Sequence, residues 1–326
     1  DDSGLKNVLS ALIDSINDAE HTFKAKPSDS QGAARWDSSS QANKLIVSPA
    51  SEAFAEILIC EISLRNRDRF GSLWSSMLDA HYKRRLTGEP VFSSLGEEMI
   101  EKHKVALVTP GLEKCVTGLM RLCHFAVQRE DFANDVLGAL KYLAQPDGGL
   151  KLSGTHLELY KHLGEGLWRI CRNVDGLKNI GLEGWDGLFG LIELCASKGE
   201  RVFDQGGRGG GLDEDDPALQ AYRSLHLMLT AAETKDVVPF GVVKGICALI
   251  EGGSKNNCPR LSVAGLDLLL ILHSRLESLI ASDAAKTAPG TKTEGGTAVW
   301  ITCWIPVLEG MANSASKSTH GGVRQQ

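Results

Sequence analysis

Apolar residues return every three to four positions through most of this chain, a period that admits helices and little else. Leu5, Val8, Leu9, Leu12, Ile13 and Ile16 mark one face of a first helix. Ser48-Pro49 opens a second, since proline at the first helical position loses no hydrogen bond, and its stripe is read as Phe54, Ile57, Leu58 and Ile62. Phe70, Leu73, Trp74, Met77 and Leu78 repeat the pattern, and Thr109-Pro110 starts a helix carrying Cys115, Val116, Leu119, Leu122, Cys123 and Ala126. A further helix is predicted from about Asp131 through Leu143, ending at "QPDGG".

The later chain is as legible. Leu157, Tyr160, Leu163, Leu167 and Cys171 share a face, as do Trp185, Leu188, Phe189, Ile192 and Cys195. Asp216-Pro217, Pro239 and Pro259 each open a helix, and "VWITCWIPVLEGMANSAS" holds the last. Nothing alternates with the period of two that a strand requires.

Helix starts near 68, 110 and 153 advance by roughly forty residues, the spacing of two-helix repeats of the HEAT or armadillo kind. The predicted fold is therefore all-α, an α-solenoid of such repeats with long disordered loops; a compact helical bundle is the alternative. Residues 1–21 read as a leading helix and 22–47 as a flexible linker. Residues 48–316 read as one helical-repeat region. Its loop insertions fall at about 86–108, 198–216 and 282–297, where Gly, Ser, Asp and Lys cannot bury enough surface to offset the entropy of ordering. Residues 317–326 read as the start of a truncated further helix.

Composition narrows the function. Lys and Arg number 35 against 41 Asp and Glu, a formal charge of -6, which disfavours general nucleic-acid binding. The eight cysteines sit mostly inside apolar helical patterns with no Cys-x-x-Cys pair, as reduced buried thiols do. The opening "DDSGLKNVLS" lacks the basic and apolar regions of a signal peptide, and no apolar run is long enough to span a bilayer. The expectation is a soluble, cytoplasmic chain.

No catalytic signature emerges. The chain has no phosphate-binding Gly-x-x-x-x-Gly-Lys-Ser/Thr, no His-Glu-x-x-His and no Gly-x-Ser-x-Gly. "GGRGGG" has no strand before it and acidic "DEDD" close after it, which suits a linker. Cys123-His124 is the nearest approach to a metal pair, but adjacent helical residues face different ways, so buried packing is the better account. Lys83, Arg84 and Arg85 in "HYKRRL" are read as cations complementing a helix C-terminus. Neither catalytic residues, cofactor ligands nor metal ligands are assigned.

Three segments in order carry a family resemblance: "LRNRDRFGSLW", "EGWDGLFGLIELCASKG" and "VWITCWIPVLEGMANSA". Together they resemble the C-terminal homology-downstream regions of the large Golgi-type guanine-nucleotide exchange factors for Arf GTPases, the brefeldin-A-resistance factor and GNOM class. The likeness covers roughly residues 50–316 outside the loops. Asn66, Arg67, Asp68, Arg69 and Trp74 match the first motif, Trp185, Asp186, Leu188 and Phe189 the second, and Trp300, Trp304, Pro306, Leu308 and Gly310 the third.

Read from the residues alone, Asn66 ends one helix, Asp68 caps the next and forms a local charge pair, and Trp300, Trp304, Val307 and Leu308 share a packing face. The resemblance implies a non-catalytic regulatory scaffold whose exchange domain lies upstream in the same parent chain. Implied partners are that domain, Arf indirectly, a second copy through self-association, and a peripheral Golgi membrane. Nucleic acid is not among them. The expected setting is Golgi vesicle traffic, and the chain itself is expected to be a fragment. A stand-alone helical-repeat adaptor that binds proteins is the alternative.

Overall fold

The computed structural model describes residues 2–24, 49–87, 110–144, 157–197, 215–234, 237–239, 241–255 and 258–275, with Leu308 and Ala312 as single positions. Among the described residues the chain is all-helical, and no strand occurs. No described helix is long and apolar enough to cross a membrane. The chain divides into two compact units, Asp1–Gly118 and Leu119–Gln326.

The first unit begins with α1 (Asp2–Lys24), which packs on α2 (Pro49–Arg65) and buries Leu9 and Ile16. Next comes one continuous helical run in three pieces: α3 (Phe70–Leu73), a π-helical turn π1 (Trp74–Leu78) and α4 (Asp79–Thr87). A strict spacing of four explains the π turn. Phe70, Trp74, Leu78, Tyr82 and Leu86 are all buried. At 3.6 residues per turn such a series drifts by roughly 160° from first to last. One wider i→i+5 turn takes up an extra residue and recovers about 100° of that drift. The Asp79 N–H donates to the Trp74 carbonyl, which is that wider bond.

The face that α2 buries differs from the expected one. Ala55, Glu56, Ile59, Cys60 and Ser63 are inside, while Phe54 is 61% and Ile57 39% exposed. The helix is apolar nearly all round, so its apolar pattern does not fix its rotation. Its buried edge is instead the one whose carboxylates meet partners on α4.

The helix α5 (Pro110–Ala126) starts at the proline as expected, with residues through Gly118 in the first unit and residues from Leu119 in the second. The stretch expected as one helix from Asp131 is two short ones, α6 (Ala133–Gly138) and α7 (Lys141–Ala144), separated by a turn at Ala139–Leu140. Then come α8 (Leu157–Cys171) and the single turn α9 (Val174–Leu177), which the periodicity did not reveal. The remaining helices are α10 (Leu182–Ala196), α11 (Pro217–Thr230), α12 (Val242–Lys255) and α13 (Pro259–Ser274).

Asp216 caps α11, its Oδ1 accepting from the N–H groups of Ala218 at 2.7 Å and Leu219 at 3.1 Å. The helix expected at Pro239 begins three residues later, at Val242. In the second unit α10 is the hub, packing on α6, α7, α8, α11 and α12, while α11 packs on α8 and α13 and α12 on α13. Gly187 of α10 allows one close approach, since a Cβ there would run into the Leu137 carbonyl of α6.

The flexible linker and the loops expected at 86–108, 198–216 and 282–297 lie largely outside the described residues; α1 continues past residue 21 to Lys24, and α4 runs to Thr87.

Candidate functional site

The matched motifs are mostly packing elements where the structure describes them. Trp74 is buried in the π turn, its ring 6.0 Å from both Phe70 and Tyr82. Trp185, Leu188 and Phe189 are buried in α10, with the Trp185 and Phe189 rings stacked at 5.6 Å, while Asp186 points to solvent. Asn66 closes α2 through a 2.7 Å bond from Nδ2 to the Ile62 carbonyl. Arg67 is exposed, with Nε 3.4 Å from the Leu64 carbonyl.

Asp68 does not cap the next helix. The cap position is Arg69, which makes no side-chain cap bond, and Asp68 stands one residue too early to reach the first-turn N–H groups. It forms instead an exposed pair with Arg69 at 3.7 Å. Of the third motif, Leu308 is helical and 51% exposed, and Trp300, Trp304, Pro306 and Gly310 lie outside the described residues.

The adjacent Cys123 and His124 do diverge. Cys123 Sγ lies 3.5 Å from the Val136 carbonyl, whereas His124 Nδ1 sits at 3.1 Å from the Arg169 carbonyl and 3.2 Å from Asn173 Nδ2. His226 is exposed on α11, its ring 6.0 Å from Tyr222.

The concentrated chemistry lies elsewhere, inside the first unit. Glu52 and Glu56 stand one turn apart on α2, and His81 and Arg85 one turn apart on α4, so each pair shares a helix face. Arg85 bridges both carboxylates: its Nε donates to Glu56 Oε1 at 3.0 Å and its terminal amino group to Glu52 Oε1. Glu56 Oε2 meets His81 Nε2 at 3.1 Å. The side chains of Glu56 and His81 are 0% exposed, and that of Arg85 is 5% exposed.

Cys115 of α5 completes the group. One donor atom each from Glu56, His81 and Cys115 lie within 4.8 Å of one another. Burial pushes the Cys115 thiol well above the ordinary range, the Glu56 charge pushes the same way, and Arg85 opposes both. His81 Nδ1 is buried with no hydrogen-bond partner among the described residues.

Sequence reasoning missed this cluster. It placed Arg85 with Lys83 and Arg84 as a solvated cation at a helix end; Lys83 and Arg84 are exposed, but Arg85 turns inward to two carboxylates. The available signal was a pair of i,i+4 ladders of opposite character, Glu52/Glu56 and His81/Arg85, on neighbouring helices.

The seven described cysteines are free thiols, and all but Cys247 are buried. Comparison of the chain with family models, with curated proteins and with solved structures returns no match.

Proposed function

We propose that this chain is a non-catalytic regulatory scaffold of a large Arf guanine-nucleotide exchange factor, acting in Golgi vesicle traffic as a HEAT- or armadillo-like helical stack. The observation that carries the reading is the ordered set of three motifs. Within the first two, the aromatic anchors Trp74, Trp185 and Phe189 are buried packing residues, as a structural role in a scaffold would require of them. The stacked-repeat reading draws support from the second unit, where α10, α11, α12 and α13 pack on their nearest neighbours in chain order.

A scaffold of this kind would control where and when an upstream exchange domain meets Arf. It would itself leave the nucleotide site alone. Two measurements test this. The purified chain added to GDP-loaded Arf should leave nucleotide release at its spontaneous rate; stimulated release would overturn the non-catalytic assignment. An antibody raised against the chain should detect in source-cell lysate a band several times heavier than the chain's own 35.1 kDa. A band at that mass would favour the stand-alone adaptor instead.

A further inference from the structure

The geometry points to a site for one zinc-class divalent cation held by Glu56 Oε2, His81 Nε2 and Cys115 Sγ. This mixed oxygen, nitrogen and sulfur set is drawn from α2, α4 and α5. A borderline-soft ion such as zinc accepts all three donor types, whereas magnesium and calcium want oxygen alone.

The dimensions agree. Around a tetrahedral zinc with bonds of about 2.0–2.3 Å, neighbouring ligand atoms stand roughly 3.3–3.8 Å apart. His81 Nε2 and Glu56 Oε2 are already 3.1 Å apart, and Cys115 Sγ is within 4.8 Å of a ring nitrogen of His81 and a carboxylate oxygen of Glu56. Closing the remaining ~1 Å takes only side-chain rotation. The three side chains come from three helices that already converge, so the ion arrives at a preformed edge.

Charge gives an independent argument. With the imidazole neutral, two carboxylates against one guanidinium leave the buried group with one net negative charge, which is costly away from water. Binding a divalent ion with loss of the Cys115 thiol proton to solvent adds one positive charge overall, and the cluster becomes neutral. The imidazole proton resides on Nδ1 in that state and frees the Nε2 lone pair for the metal. The change of tautomer gives up the Nε2–H bond to Glu56 Oε2 of the empty site and leaves Nδ1–H without an acceptor among the described residues, a cost that the two bonds to the ion must exceed. Arg85 keeps its bond to the other oxygen of Glu56 and so orients that ligand from behind, as outer-shell groups do at established metal sites.

The test uses the full chain without an affinity tag, stripped of metal, with cobalt(II) as the spectroscopic probe. One equivalent should produce a thiolate-to-cobalt charge-transfer band in the near ultraviolet, displaced by zinc. The band should vanish in Cys115→Ser and persist in Cys247→Ser, whose thiol belongs to the second unit. No band in the unmutated chain, or an undiminished band in Cys115→Ser, would overturn the site.

Because Cys115→Ser could fail to fold, X-ray absorption of the zinc-loaded unmutated chain gives a second reading. One sulfur at about 2.3 Å with the remaining ligands at about 2.0–2.2 Å is expected. A shell of light atoms only, or of two or more sulfurs, would overturn the proposal.

Discussion

At the residue scale, Arg85 is the side chain on which the first unit most depends. It holds two carboxylates, Glu56 fully buried and Glu52 14% exposed, so its removal leaves buried charge uncompensated. Replacing it with Met should cost about 3–5 kcal/mol of stability, read from urea unfolding. Arg84→Met, one position away and exposed, should stay within about 0.5 kcal/mol. Equal effects of the two would refute the bridging role.

Gly187 makes a second test at this scale. A methyl group there meets the backbone of α6 rather than a yielding side chain, so Gly187→Ala should destabilise by about 1–3 kcal/mol despite the better helix propensity of alanine. A rise in melting temperature would mean that α6 moves aside without cost.

At the scale of elements, the starts were legible because proline and capping chemistry are local. Pro49, Pro110, Pro217 and Pro259 each open a helix where the sequence places one. Rotation was legible only where a helix has a polar side to give away. In α2 the polar edge of Glu52, Glu56 and Ser63 is the buried one, so periodicity alone puts Phe54 and Ile57 inward in ignorance of Arg85 and His81. That information sits on another helix some thirty residues on, and a periodicity within one helix cannot carry it.

The same gap hid the candidate site. Glu56, His81 and Cys115 are unremarkable in their own windows and meet only in the fold. The π turn, by contrast, was written in the sequence as five apolar residues spaced by four, from Phe70 to Leu86. Deleting the exposed Ser76 should restore an ordinary helical pitch and swing His81, Tyr82 and Arg85 by about 100° relative to Phe70. We expect a large fall in melting temperature with helical circular dichroism mostly retained, against little change in Ser76→Ala. A deletion variant that melts like the parent would show that the wider turn is dispensable.

At the scale of the whole molecule, the buried thiols set an alkaline limit. Burial raises Cys171 to about 12 and Cys247 to about 11, and also lifts Cys123 and Cys195. Their folded values exceed the unfolded ones, so the native state favours the protonated thiol. The stabilisation is complete below the ordinary thiol pKa of about 8.5 and is lost as pH climbs through the folded values. The melting temperature should therefore hold level from about pH 7 to 8.5 and decline steadily above that, more gently in Cys171→Ala. A flat profile up to about pH 11 would contradict the burial of these groups.

Thiols spread through both units in this way also amount to a built-in set of clocks. A reagent in solution reaches a sequestered sulfur only during the moments when its surroundings open, so each labelling rate measures how often that neighbourhood comes apart. Cys60 and Cys115 would keep time for one unit and Cys123, Cys171, Cys195 and Cys258 for the other. Mass-resolved alkylation of the native protein would thus chart, without a single substitution, whether the two units breathe together or each at its own pace.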